Sequence, residues 1–123
     1  MIGEHLLADL YGIAPEQLTD ADALGALLGR ALTEAGFTVL DRVAHAFPGE
    51  GAGATVLCLL SESHASLHTY PEYGYAAVDV FSCGDARPAD VLEALRAALA
   101  PERVETDRRI RGARLAARTE ESA

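Results

Sequence analysis

The sequence predicts an α+β fold, a two-layer α/β sandwich in which a mainly antiparallel sheet carries two helices on one face. Three observations lead there. Strand-like segments separated by turn residues recur along the 123 residues. Only two stretches place apolar residues at helical spacing. One run, Thr55-Val56-Leu57-Cys58-Leu59-Leu60, is continuously apolar over a strand's length, as in a well-covered sheet.

The elements come in order along the chain. His5 to Tyr11 forms a first strand, ended by Gly12 and Pro15. Thr19-Asp20 supplies capping chemistry for a helix from Ala21 to Ala35. Its Leu24, Leu27, Leu28, Ala31 and Leu32 share a face, and Gly36 stops it. Phe37 to Phe47 reads as a strand, Pro48 to Gly53 as a flexible loop, and Thr55 to Leu60 as the next strand. His64 to Tyr70 is extended and leads into a Pro71-Glu72-Tyr73-Gly74 turn, followed by a strand from Tyr75 to Ser82. Pro88 suits the first position of a second helix, with Val91, Leu92, Leu95 and Leu99 on one face. Pro101 ends it, and Val104 to Ile110 adds an edge strand. The helices would bury one face of the sheet, leaving the other to a ligand or a second subunit.

Length and composition fit one domain over residues 1–123, and a hydrophobic content of 50% supports a packed core. A formal charge of −9 argues against nucleic acid as a partner. The basic residues Arg108, Arg109, Arg111 and Arg114 gather near the end and read as a solvated, frayed tail. The start has no basic-then-apolar signal pattern, and no apolar run approaches the roughly 20 residues that cross a membrane. A cytoplasmic protein without a membrane partner is therefore expected. Cys58 and Cys83 suggest neither a disulfide framework nor a zinc site, and Cys58 reads as a small buried hydrophobe.

Reactive groups concentrate between Ser61 and Gly84, in SESHASLHTYPEYGYAAVDVFSCG. A Ser/His/Glu hydrolase is the first reading to test. Its nucleophile needs Gly-x-Ser-x-Gly, and Ser63 has Glu62 and His64 beside it instead. His64 and His68 would make a metal pair only on a helix, and Thr69, Tyr70 and Pro71 favour extended chain, so no metal is expected.

Three linked motifs remain: Ser61-Glu62-Ser63-His64, His68-Thr69-Tyr70-Pro71-Glu72 and Phe81-Ser82-Cys83-Gly84. With His5-Leu6-Leu7-Ala8-Asp9-Leu10-Tyr11-Gly12 at the start, they resemble the prokaryotic S-adenosylmethionine decarboxylase proenzymes over roughly the first hundred residues. The resemblance implies self-cleavage between Glu62 and Ser63, giving chains 1–62 and 63–123. Ser63 would become a pyruvoyl group, an electron sink that serves decarboxylation in place of PLP and without metal. His68 matches the histidine that assists elimination, and Cys83 the residue that protonates the carbanion. Thr55 matches a processing hydroxyl of the family. The implied substrate is a small molecule, S-adenosylmethionine on the route to spermidine. The implied assembly is a homodimer that shares its active sites at the interface.

Spacing adds a geometric expectation. Ser63 and His68 are five apart, so an unbroken strand points them to opposite faces, about 17 Å from each other. They can meet only across a turn or between subunits, and a dimer would set Ser63 and Cys83 of one copy against His68 and Thr55 of the other.

The chain also departs from the family pattern. Tyr70 stands where many members have tryptophan, and Phe47 precedes a Pro48–Gly53 loop that carries Glu50. In the adenosyl reading Tyr70 and Phe47 stack on the base and Glu72 accepts hydrogen bonds from ribose hydroxyls. Relatives of these enzymes act on L-ornithine or L-arginine, whose distal cation needs a carboxylate from Glu50, Glu72 or Asp9. A homologue that keeps the fold as a binding or scaffold protein and never cleaves is the third reading.

Overall fold

A computed structural model describes residues 2–115. Its strands are β1 (Gly3–Tyr11), β2 (Val39–Ala46), β3 (Ala54–Leu60), β4 (Ser63–Tyr70), β5 (Tyr75–Ser82) and β6 (Arg103–Arg111). Its helices are α1 (Ala21–Glu34) and α2 (Pro88–Leu99). The strands form one sheet in the order β2-β3-β4-β5-β1-β6, with every neighbouring pair antiparallel. Both helices pack on one face, as the sequence predicts.

Local chemistry explains the elements. The Asp20 side chain accepts a hydrogen bond from the Ala23 N–H, satisfying an orphan donor in the first turn of α1. Leu24, Leu28 and Leu32 of that helix are buried, as are Val91, Leu95 and Leu99 of α2. Strand alternation supplies the opposing layer: Val56, Cys58 and Leu60, Ala65 and Leu67, Val78 and Val80, and Leu6 and Leu10 all point to the helices. Burying each aliphatic side chain of this size stabilises by about 1.5–3 kcal/mol.

Two expectations need correction. The second strand is shorter than Phe37 to Phe47, because Phe37 leaves the sheet direction and buries its ring in the core while its N–H bonds the Leu32 carbonyl. A register shift between Val39 and Asp41 lies just beyond it. The basic run is not a frayed tail. Arg108, Arg109 and Arg111 belong to β6, paired with β1 along its whole length, with Arg114 just beyond it, and the Arg108 guanidinium grips both carboxylate oxygens of Glu4 at 2.9 Å. An edge strand rich in charged residues keeps its exposed side in water.

The open face of the sheet is a grid fixed by strand pairing. One row runs Leu59, His64, Phe81, His5; the next Val43, Leu57, Ser66, Asp79, Leu7; the next His45, Thr55, His68, Ala77, Asp9. Tyr70 and Tyr75 close it at the far end.

Candidate active site

β3 and β4 are joined by the two-residue turn Ser61-Glu62, so that Ser63 heads β4 directly opposite Leu60. Glu62 holds φ at +64°, the left-handed region, which costs a side-chain-bearing residue roughly 1–2 kcal/mol. At this corner the Cys83 thiol, just beyond β5, donates to the Glu62 carbonyl oxygen at 3.0 Å. That oxygen belongs to the peptide bond between Glu62 and Ser63. Ser63 and Cys83 also share a hollow of about 210 Å³ with Gly36, Thr38, Ser61 and Asp85. The segment after β5 is anchored by Ser82, whose hydroxyl donates to the Ala86 carbonyl at 2.7 Å.

The other end of β4 has a different character. Thr55 lies directly across from His68, with its hydroxyl 3.1 Å from the imidazole Nδ1. Between them and the β2–β3 loop opens a cavity of about 540 Å³, lined by Phe47, Glu50, Thr55, His68, Tyr70 and Glu72. That volume lies in the range of small-molecule sites. Buried Thr69 holds the rim together: its hydroxyl donates to the Leu18 carbonyl at 2.7 Å and accepts from the Ala54 N–H at 2.9 Å. Tyr70 leans on Tyr75, and Tyr75 on Tyr11, with ring centroids 5.6 and 5.4 Å apart.

The sequence-predicted residues therefore fall into two groups. Glu62, Ser63 and Cys83 meet at one end of β4; Thr55, His68, Phe47, Glu50, Tyr70 and Glu72 meet at the other. One chain does not bring the groups together, because a β-strand keeps its ends apart. Asp9 stands outside both. Its carboxylate accepts a hydrogen bond from the Tyr75 hydroxyl, and that bond is the main reason the Tyr75 phenol is pushed up to about 12.

Sequence reasoning missed one cluster. Asp79 accepts from His5 Nε2 at 2.6 Å and His64 Nε2 at 2.9 Å, and its second oxygen accepts from the Ser66 hydroxyl. Burial opposes ionisation of Asp79, but these hydrogen bonds outweigh it and leave the carboxyl below its usual range. The signal was present in the alternation of β5, which aims Asp79 outward between Ala77 and Phe81. The serine here donates to the carboxylate and not to an imidazole, so the group is no hydrolytic triad. The ligand-type atoms of His5, His64 and Asp79 lie within 4.8 Å of one another. Hydrogen bonding accounts for that closeness, and Arg111, 3.3 Å from His5 Nδ1, adds a positive charge a metal would have to displace.

Fold and corner together define a class: a small α+β protein whose central strand is headed by a serine behind a tight turn, with a thiol on the preceding carbonyl. The family model described as S-adenosylmethionine decarboxylase matches residues 4–112. A proenzyme of that name from Parasynechococcus marenigrum is 48% identical over 85 residues, covering 69% of this chain and 65% of its own length. An arginine decarboxylase proenzyme from Aeropyrum pernix is 38% identical over 84% of this chain and 79% of its own. The crystal structure of the adenosylmethionine decarboxylase from Aquifex aeolicus superposes with a TM-score of 0.83 at 34% identity, covering 90% of this chain and 91% of that one. The chain belongs to the S-adenosylmethionine decarboxylase family.

Proposed function

We propose that this chain is a self-processing, pyruvoyl-dependent S-adenosylmethionine decarboxylase that works as a homodimer. The observation that carries the reading is the Cys83 thiol on the Glu62 carbonyl oxygen, 3.0 Å away, at a turn that presents the bond to Ser63. A donor on that oxygen polarises the carbonyl toward attack and stabilises the charge that develops there. The Ser63 hydroxyl then adds to the Glu62 carbonyl carbon, and an ester replaces the amide. Loss of the Ser63 α-proton expels Glu62 as a free carboxylate. Hydrolysis of the remaining dehydroalanine releases ammonia and leaves residue 63 as the pyruvoyl terminus of chain 63–123.

The residues present fit that group, since Ser63 stands at the head of a strand held on both sides, with Cys83 beside it. When formed, it supplies the electron sink that decarboxylation needs. His68, oriented through Nδ1 by Thr55, is suited to moving the proton in the elimination. Cys83 is suited to returning a proton to the substrate carbon. Phe47 and Tyr70 offer aromatic faces to a purine, and Glu72 an acceptor for hydroxyls. The second copy is required because the two groups lie at opposite ends of β4. Among the described residues no helix is long and apolar enough to cross a membrane.

A second substrate reading has its own support. Glu50 and Glu72 line the same cavity, and the 38%-identical relative is an arginine decarboxylase proenzyme. A distal ammonium or guanidinium would pair with those carboxylates.

Intact mass and carbon dioxide release test all of this together, with S-adenosylmethionine, L-ornithine and L-arginine offered separately. The expected result is two fragments and release from S-adenosylmethionine, both lost in Ser63→Ala. Release from arginine or ornithine alone would transfer the assignment to those substrates. A wild-type chain that stays whole would leave the scaffold reading standing and sink the enzyme.

A further inference from the structure

Self-cleavage would leave the pyruvoyl group on the backbone nitrogen of His64, and an inference about what holds that nitrogen rests on the self-processing reading. Before the cut, residue 63 is fixed by the Ser61-Glu62 turn and by its pairing with Leu60. The cut severs the turn. Release of ammonia takes the nitrogen of residue 63 with it, so that position no longer donates to the sheet. The left-handed φ of +64° is no longer imposed on Glu62 once the bond is gone. A strand end that loses such ties frays. His64, where pairing with β5 begins opposite Phe81, is then the first residue of chain 63–123 to keep a backbone N–H.

Its side chain is tied into the sheet by groups outside the turn. Ser63 turns toward the helices, opposite buried Leu60, and His64 projects to the open face. There its Nε2 lies 2.9 Å from Asp79 Oδ2, which His5 Nε2 also reaches at 2.6 Å. The Ser66 hydroxyl donates to Asp79 Oδ1. Arg111, whose guanidinium can only donate, stands 3.3 Å from His5 Nδ1, so the His5 proton lies on Nε2, facing the carboxylate. The His64 ring also packs edge-on against His5 and tilted beside Phe81, with centroids 5.6 and 6.1 Å away. Asp79 of β5 thus gathers donors from β1 and β4, and the cut destroys none of these bonds. The grip comes from the open face, away from the hollow that Ser63 shares with Cys83.

We infer that His64 and Asp79 are positioning residues: the carboxylate pins the imidazole, and the pinned residue fixes the pyruvoyl group carried on its nitrogen. The amide joining the two is planar, so a single torsion separates the His64 backbone from the ketone. Before cleavage the turn holds this end; after cleavage the Asp79 network takes over. A misplacement of about 1 Å at a reacting group costs about a hundredfold in rate.

His64→Leu keeps the bulk of a half-exposed side chain and removes its donor. Native and variant proteins are compared after cleavage, and again as uncut chains carrying Ser63→Ala. Amide hydrogen exchange in peptides from residues 63–70 should quicken about tenfold or more in the cleaved variant and stay unchanged in the uncut one. The variant should cleave at the native rate, react fully with phenylhydrazine at its new carbonyl, and sediment as the native protein does. Its kcat should still fall by about ten- to a hundredfold, with KM within about threefold of native. His64→Gln, whose amide N–H can reach the same carboxylate, should recover most of the loss. Faster exchange in cut and uncut chains alike would make His64 an ordinary strand contact and overturn the inference. Native kcat in His64→Leu, no recovery in His64→Gln, or a loss that tracks dissociation of the protein would overturn it too. A native chain that never cleaves would instead overturn the self-processing reading, and this inference with it.

Discussion

The two ends of β4 solve different problems with different materials. At the Ser63 end the parts are few and in direct contact: a two-residue turn, one left-handed glutamate and a thiol on a carbonyl. At the His68 end they enclose space, a cavity bounded by the glycine-bearing β2–β3 loop, by Tyr70 and by the turn that holds Glu72. The first arrangement suits bond-making, where placement within a fraction of an ångström matters. The second suits a ligand of some size. The strand that carries both also separates them.

That contrast predicts which substitutions hit chemistry and which hit stability. Cys83→Ala removes the donor from the Glu62 carbonyl while leaving the sheet intact, since Cys83 lies beyond the end of β5. Loss of an oxyanion donor costs about 10²–10³ in rate where the donor is a strong one, and a thiol is a weak donor. Cleavage of freshly made chain should therefore slow by about ten- to a hundredfold, measured by electrophoresis of timed samples, with unchanged thermal unfolding. Equal cleavage rates would remove Cys83 from processing and leave it only the later proton transfer.

At the other end, Thr69→Val should act on stability first. The change strands two buried groups, the Ala54 N–H and the Leu18 carbonyl, that the Thr69 hydroxyl now serves. A cost of about 1–3 kcal/mol is expected for such unsatisfied groups, read from urea unfolding. Because Ala54 opens β3 below the loop, substrate affinity should weaken while the cleavage rate stays near that of the native chain. A variant that cleaves slowly at full stability would mean the two ends are coupled through the strand.

The same division governs how far these features were legible in the sequence. Alternation and helical spacing gave both helices and the strand segments along the chain, because burial on one face writes itself into neighbouring residues. The Ser63 corner was legible through the linked motifs, although Cys83 lies 21 residues from Glu62. Two things were not. Phe37 looked like strand, but the core took its ring and shortened β2. The Asp79 cluster joins β1, β4 and β5, and its histidines lie 15 and 74 residues away in the chain, so only strand register reveals it. For β6 the sequence offered two readings, an edge strand over Val104 to Ile110 and a charged tail, and pairing with β1 bears out the strand.

The smallest expected effect sits between the two ends, at Asp79. Its carboxyl is held below the ordinary range by three side-chain donors against the opposing effect of burial. A depressed carboxyl contributes stability that is present above its unfolded value and lost as pH falls through the folded one. Asp79→Asn keeps the shape and one acceptor oxygen but removes the ionisation. The gap in urea midpoint between native chain and variant should therefore be widest above about pH 5 and should close as pH drops below about 4, where the unfolded carboxyl takes its proton. The gap itself should be modest, since the group is partly exposed and the amide still accepts a hydrogen bond. A gap that stayed constant across that range would mean the hydrogen bonds matter and the charge does not. The middle of β4 would then be held by geometry alone, as its Ser63 end is.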